Sequence, residues 1–126
     1  LDLNVIGDEG ITPLIWLVGI KRNNDAAKLA IKLGADPNFK DGDGDSALIF
    51  VAGSDDPERL KLLLEGGGDP NSIDHVGMPV LFSAIGQDRM ADIELLIDYG
   101  AGLNLRDKSG RNAAFYSIFI MRYKLS

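Results

Sequence analysis

Residues 41–46 read Asp-Gly-Asp-Gly-Asp-Ser. Alternating aspartates are how a helical calcium loop begins. Such a loop needs oxygen ligands at its first, third and fifth positions, glycine at the sixth and a bidentate glutamate at the twelfth. Asp41, Asp43 and Asp45 meet the first three requirements, but Ser46 stands where glycine belongs and Ala52 where glutamate belongs. The preceding Gly-Ala-Asp-Pro-Asn-Phe-Lys (34–40) reads as turn and extended chain, not as the helix that leads into a calcium loop. An ion site is therefore disfavoured, and these aspartates and glycines need another reason to be there.

The rest of the chain offers little reactive chemistry. His75 is the single histidine, so a Ser-His-Asp arrangement would have to use it. It lies in Ser-Ile-Asp-His-Val-Gly (72–77), where an exposed contact role fits better than a base. No Gly-x-Ser-x-Gly, phosphate-loop or His-Glu-x-x-His pattern occurs. Gly66–Gly68 follows a helical segment rather than opening one, which suits a helix C-cap more than a phosphate cradle. The adjacent Asp55 and Asp56 read as helix capping before Pro57 rather than as an acid–base pair. The absence of cysteine excludes disulfides, thiolate metal sites and cysteine nucleophiles. Trp16, inside an apolar segment, reads as core. No catalytic residue, cofactor or metal site is assigned.

Composition narrows the partners. The 126 residues are 45% apolar, enough for a core, and carry a net charge of −6. An acidic chain repels phosphate backbones, and the basic clusters at 21–22 and 122–124 are too small for a nucleic-acid stripe. No apolar run approaches the roughly 18 residues of a spanning helix, so no membrane insertion is expected. A protein partner with a basic patch is the easiest to accommodate.

The positioning elements emerge from a repeat. Gly44, Gly77 and Gly110 are 33 residues apart, and Gly10 lies 34 before Gly44. Asp41, Asp74 and Asp107 each precede one of these glycines by three residues. Asn38, Asn71 and Asn104 keep the same beat, as do Gly34, Gly67 and Gly100. After each first glycine comes a helix start: Thr12 then Pro13, Ser46 then Ala47, Asn112 then Ala113. Pro79 stands at the cap position of the third copy and predicts an irregular start there. A second helix follows each time. Asp56, Pro57 and Glu58 open one of these, with Leu60, Leu63 and Leu64 as its buried stripe. Ile93, Leu96 and Ile97, and Ala27, Ala30 and Ile31, hold the same positions in its neighbours. Each second helix ends in glycine. The first unit carries one extra residue near Gly-Ile-Lys-Arg-Asn-Asn (19–24).

This pattern resembles the ankyrin repeat, through Gly-Ile-Thr-Pro-Leu (10–14), Leu-Gly-Ala-Asp-Pro-Asn (33–38) and the matching segments 62–71 and 95–104. The resemblance implies an all-α repeat solenoid of helix–turn–helix units with extended fingers. It divides residues 1–126 into a single array: the end of a preceding repeat (1–6), repeats at 7–40, 41–73 and 74–106, and a partial repeat at 107–126. The family's Thr-Pro-Leu-His histidine is replaced by Ile15, Ile49, Phe82 and Phe115, so apolar packing is expected to join units there. Both ends fall inside a unit, and Phe115, Tyr116, Ile118, Phe119, Ile120 and Met121 are a poor polar cap. The chain therefore reads as an excised core, or one whose outer parts a partner covers.

The resemblance also implies a non-catalytic protein-binding module whose finger tips and first helices line one face. The residues carried onto that face are Asp8, Glu9 and Ile11, then Asp43 and Asp45, then His75, Val76 and Met78, then Lys108, Ser109 and Arg111. Ile20, Ser54 and Gln87 in the turns join them. Charge changes sign along this row, from acidic through neutral to basic. Gly42, Asp43 and Asp45 are the residues the repeat leaves unexplained, and so the ones expected to be free for a partner. The most specific expectation is a bacterial immunity protein that covers the active site of a secreted toxic effector, such as a type VI lipase. That reading implies a periplasmic location, and otherwise a cytoplasmic one. The alternatives are a scaffold or targeting module of a larger, even enzymatic, chain.

Overall fold

The computed structural model describes residues 3–7, 10–52, 54, 56–102 and 104–115. Helix α1 (Pro13–Ile15) runs directly into a π-helical turn (Trp16–Ile20). Then follow α2 (Asn24–Lys32), α3 (Ala47–Ala52), α4 (Pro57–Glu65), α5 (Val80–Gly86) and α6 (Met90–Asp98). They stack in two rows. In the first row the π turn packs on α3 and α3 on α5; in the second, α2 packs on α4 and α4 on α6. Among the described residues the only bridge pairing is isolated, between Ile73 and Pro79.

Local chemistry sets the helix ends. Thr12 Oγ1 accepts from the Ile15 N–H at 3.1 Å, and Asp56 Oδ1 accepts from the Arg59 N–H at 3.1 Å, each just before a proline in the first turn. Asn23 and Asn112 cap in the same way. Pro79 leaves α5 without a side-chain cap, as its sequence predicts. Ser46 departs from expectation: its hydroxyl is buried and makes no hydrogen bond, so α3 starts without a side-chain cap. At the other end of α4, Gly67 (φ 100°) takes the left-handed position that a Cβ would strain. The N–H groups of Gly67 and Gly68 donate to the carbonyls of Leu64 and Leu63, the paired bonds of a Schellman cap.

The extra residue of the first unit is absorbed by the π turn. The Lys21 N–H donates to the Trp16 carbonyl five residues back, at 2.9 Å, and Arg22 follows at φ 52°. A π turn holds one more residue than an α turn, so the next helix starts in register.

The core lies between the rows. Leu14, Ile15, Leu48, Leu60, Leu63, Leu81, Phe82 and Leu96 are all fully buried, each worth about 1.5–3 kcal/mol relative to exposure. Ile15 and Phe82 join units by apolar packing as expected, with Ile49 partly buried against them. Phe115 does not: it is exposed, with the Arg111 guanidinium 5.1 Å from its ring centroid. Ile97 also turns outward, because α6 covers α4 with Leu96 and Ile93. In α2 the small stripe marks close approach. A Cβ on Gly66 would lie 2.8 Å from Ile31 Cγ2, so glycine at the end of α4 lets Ile31 in.

Polar groups join the units as firmly as the core does. Asn38 Oδ1 accepts from the Asp69 N–H at 2.7 Å while its amide donates to the Gly67 carbonyl at 2.9 Å. Asn4 makes the same pair of bonds to Asp36 and Gly34, and Asn71 Oδ1 accepts from Gly102 at 2.6 Å. Arg59, only 5% exposed, ties the second-helix row. Its guanidinium donates to Asn24 Oδ1 at 2.8 Å and to the Arg22 carbonyl at 3.1 Å, and pairs with Asp56 at 3.1 Å.

Two measurements test these ties. Asn38→Ala removes both bonds of one rung and is expected to cost about 1–2 kcal/mol, read as a lower urea midpoint at unchanged m-value. Arg59→Met keeps the stem but strands three acceptors, and is expected to cost about 2–3 kcal/mol. A midpoint equal to wild type in either variant would show the tie to be incidental.

Candidate functional site

Three of the fingers are each built on one carboxylate. Asp41 Oδ1 accepts from the N–H groups of Asp43 and Asp45 at 2.8 and 2.9 Å. Asp74 does the same for Val76 and Met78, and Asp107 for Ser109 and Arg111. The backbone closes each loop as well: Asp41 N–H to the Asp45 carbonyl at 2.8 Å, and Gly44 N–H to the Asp41 carbonyl at 3.1 Å. Gly44 sits at φ 92°, which a side chain would resist. In the first finger Gly7 takes the aspartate's place and keeps only the backbone bonds, to Ile11 and Gly10.

The three aspartates of residues 41–46 thus face different partners instead of one ion. Asp41 is 6% exposed and holds its own loop. Asp45 reaches the next finger, where its carboxylate accepts from the His75 N–H at 2.9 Å and lies 3.0 Å from His75 Nδ1. Asp43 alone is exposed at the tip, with no side-chain bond to another described residue. Among the described residues no grouping of three His, Asp or Glu is arranged to hold a metal ion.

Two of the residues expected to be free therefore have structural work. The Gly42 N–H donates to the Gly10 carbonyl at 2.9 Å, joining the first two fingers. Asp45, its side chain 13% exposed, joins the second to the third. The third meets the fourth where the Lys108 stem crosses Gly77: a Cβ there would lie 2.8 Å from Lys108 Cγ. Each joint uses different chemistry, which is why no repeated residue announced it.

The remaining sequence-predicted positions divide as follows. Val76, Gln87, Lys108, Ser109 and Arg111 are exposed, and so is Ile20 at 58%. Gln87 is partly engaged, accepting from Arg89 Nε at 2.8 Å. Ile11 and Met78 are half-buried and pack on the core, so they carry the finger bases rather than the tips. Ser54 caps the end of α3 through a 2.7 Å bond to the Val51 carbonyl. Asp8, Glu9, Asp55 and residues 116–126, including the 122–124 basic cluster and the apolar positions from Tyr116 to Met121, lie outside the described residues. Trp16 corrects the core reading. It is 40% exposed, because among the described residues no element packs over the side of the first-helix row that faces away from the second row. Phe50, at the same place one unit on, is 41% exposed.

His75 is the site's titrating group. Its ring is 55% exposed and bonds to Asp45, so it is a joint rather than a base aimed at a nucleophile. The hydrogen bond to Asp45 and then the Asp45 charge raise its pKa above the ordinary 6.5. Partial burial opposes this, and the charges of Asp74 and Asp43 add to it.

Taken together, the stacked helix pairs and hydrogen-bonded fingers define a helical repeat solenoid. Residues 14–64 match the family model described as ankyrin repeats (many copies), and the same fingers continue past the matched stretch to Arg111. The matched stretch supports an ankyrin-repeat fold, and ankyrin repeats are generally protein–protein interaction modules. Comparison with curated proteins gave no match. Among the described residues no helix is long and apolar enough to cross a membrane.

The raised His75 pKa carries a sign. The stability it contributes is fully present below about pH 6.5 and is lost as pH rises through the folded-state value. Melting temperature is therefore expected to fall as pH rises above about 6.5 in wild type, and to fall less in His75→Gln and Asp45→Asn. Equal slopes in all three proteins would remove the joint from the account of stability.

Proposed function

We propose that the array binds a protein partner, without catalysis, through its finger tips and the exposed face of its first-helix row. The observation that carries this is the order of exposed groups along a finger frame that is already tied together. Asp43 stands on the second finger, His75 and Val76 on the third, and Lys108, Ser109 and Arg111 on the fourth. Because the second, third and fourth loops are each held by their own aspartate and each joint by a separate contact, docking orders little additional chain. A partner with the opposite charge order fits in one direction only.

The narrower form of this proposal is an immunity protein that neutralises a secreted toxic effector, such as a type VI lipase, by covering its active site. The acidic second finger would meet a basic rim of that partner. Its supports are the ankyrin resemblance and this charge order alone. A wider form, a scaffold within a larger chain, uses the same surface. An effector reading frame beside this one distinguishes the two.

Affinity capture with the array as bait, followed by mass spectrometry, supplies the partner. Asp43→Lys is then expected to slow association about threefold or more at low salt and to change dissociation little. An unchanged association rate would remove the acidic tip from the binding surface.

A further inference from the structure

The exposed face of the first-helix row carries an aromatic group on its first two units. Trp16 and Ile20 lie four residues apart on the π turn, and Lys21 follows with its ammonium 5.1 Å from the centroid of the Trp16 ring. Phe50 closes the group from the next unit: a Cβ on Gly19 would lie 3.5 Å from Phe50 Cδ1, so the ring rests where Gly19 leaves room. Trp16, Ile20 and Phe50 are 40%, 58% and 41% exposed. Ser83 stands in line with Phe50 in the third unit, and Tyr116, in line in the fourth, lies outside the described residues. Among the described residues the aromatic group is therefore confined to the first two units.

Charge flanks this group on both sides. At the C-terminal end of the π turn, Lys21 and Arg22 are exposed and form no ion pair with any described residue. At the opposite end of α3, on the finger that leads into it, Asp43 is exposed and likewise unpaired within the described chain. The order across the face is acidic, apolar, basic. Desolvated aromatic rings beside unpaired charges are where binding energy concentrates in protein interfaces.

We propose that Trp16, Ile20 and Phe50 form the anchor point for a partner segment that carries an aliphatic or aromatic side chain between a basic residue and an acidic one. The apolar side chain sits on the rings, the acidic residue meets Lys21 and Arg22, and the basic residue faces Asp43. This rests on the array being a protein-binding module and adds the chemistry of what it binds. The extra residue of the first unit is what makes the anchor. The π turn bonds the Lys21 N–H back to the Trp16 carbonyl at 2.9 Å and so brings the lysine back beside the ring five residues earlier.

The test is selection of random twelve-residue peptides displayed on phage against the whole chain, followed by titration of the enriched synthetic peptides. Trp16 is the one tryptophan, so its fluorescence reports this site alone. Enriched peptides are expected to carry an apolar residue flanked by opposite charges and to shift the tryptophan emission. Trp16→Ala, read by calorimetry, and Phe50→Ala are each expected to weaken them about tenfold or more. Because both side chains are exposed, the variants are expected to melt close to wild type. Lys21→Glu is expected to lose the same peptides and to regain affinity when their acidic residue is changed to lysine, a rescue that misfolding would not produce. Peptides that bind without moving the tryptophan signal, and that survive Trp16→Ala but not Asp43→Lys, would overturn the anchor while leaving the finger surface as a binding site. Failure to enrich any peptide, together with failure to capture any partner, would overturn both.

Discussion

A single planar amide, repeated every unit, holds this molecule in register. Asn4 and Asn38 each present an acceptor and a donor to the turn of the following unit, at an N–H two residues beyond the carbonyl they also bond. Asn71 presents its acceptor to Gly102 in the same way. Backbone groups in that turn have no helical partner, and leaving them unmet costs more than a net hydrogen bond gains. The hydrophobic layer between the two helix rows supplies most of the energy. Apolar contact alone tolerates sliding, however, and the asparagine does not. Two bonds of fixed geometry allow one offset between neighbours, and the helices, fingers and exposed face inherit it.

The fingers show the opposite design. In the second, third and fourth the same carboxylate gathers two N–H groups, and the first keeps the matching backbone bonds through Gly7. Between them nothing repeats: a backbone bond from Gly42, a carboxylate–imidazole contact from Asp45 to His75, a lysine stem over Gly77. Uniform loops joined by individual contacts keep a regular frame while side chains at the tips differ. That separation lets an array of similar units carry a directional surface.

Much of this was legible in the residues. The glycine, aspartate and asparagine beats fell on positive-φ turns, loop closures and inter-unit bonds, because each of these demands one residue type. Caps at Thr12, Asp56 and Asn112 were readable for the same reason. The role of the asparagines was not read, although their beat was; the function of a periodic polar residue depends on what lies one unit away in space. Ser46 was read as a cap by its type and is a buried hydroxyl instead. Trp16 was placed in the core because an apolar helix normally buries its tryptophan, yet among the described residues only one side of its row is covered. Asp45 and Gly42 were taken as free because they do not recur, whereas joints between fingers are made from residues that do not recur. The extra residue near Gly19 was visible, but its absorption by a π turn, and the aromatic group that results, depend on backbone hydrogen bonding that spacing alone does not specify.

The asparagine rung also bears on how the protein ages. Asparagine deamidates when the backbone nitrogen of the following residue attacks the side-chain amide carbon. After Asn38 that nitrogen belongs to Phe39 and donates to the Asp36 carbonyl at 3.1 Å; after Asn71 it belongs to Ser72 and donates to Asp69 at 3.1 Å. The attacking atom is thus already engaged, while the side chain is held by the neighbouring unit. Conversion to aspartate would replace the rung's donor with a charged oxygen facing a carbonyl. The bonds that set the register therefore also shield the groups that make them, and chemical damage to the ladder is coupled to prior unfolding of the unit that carries it.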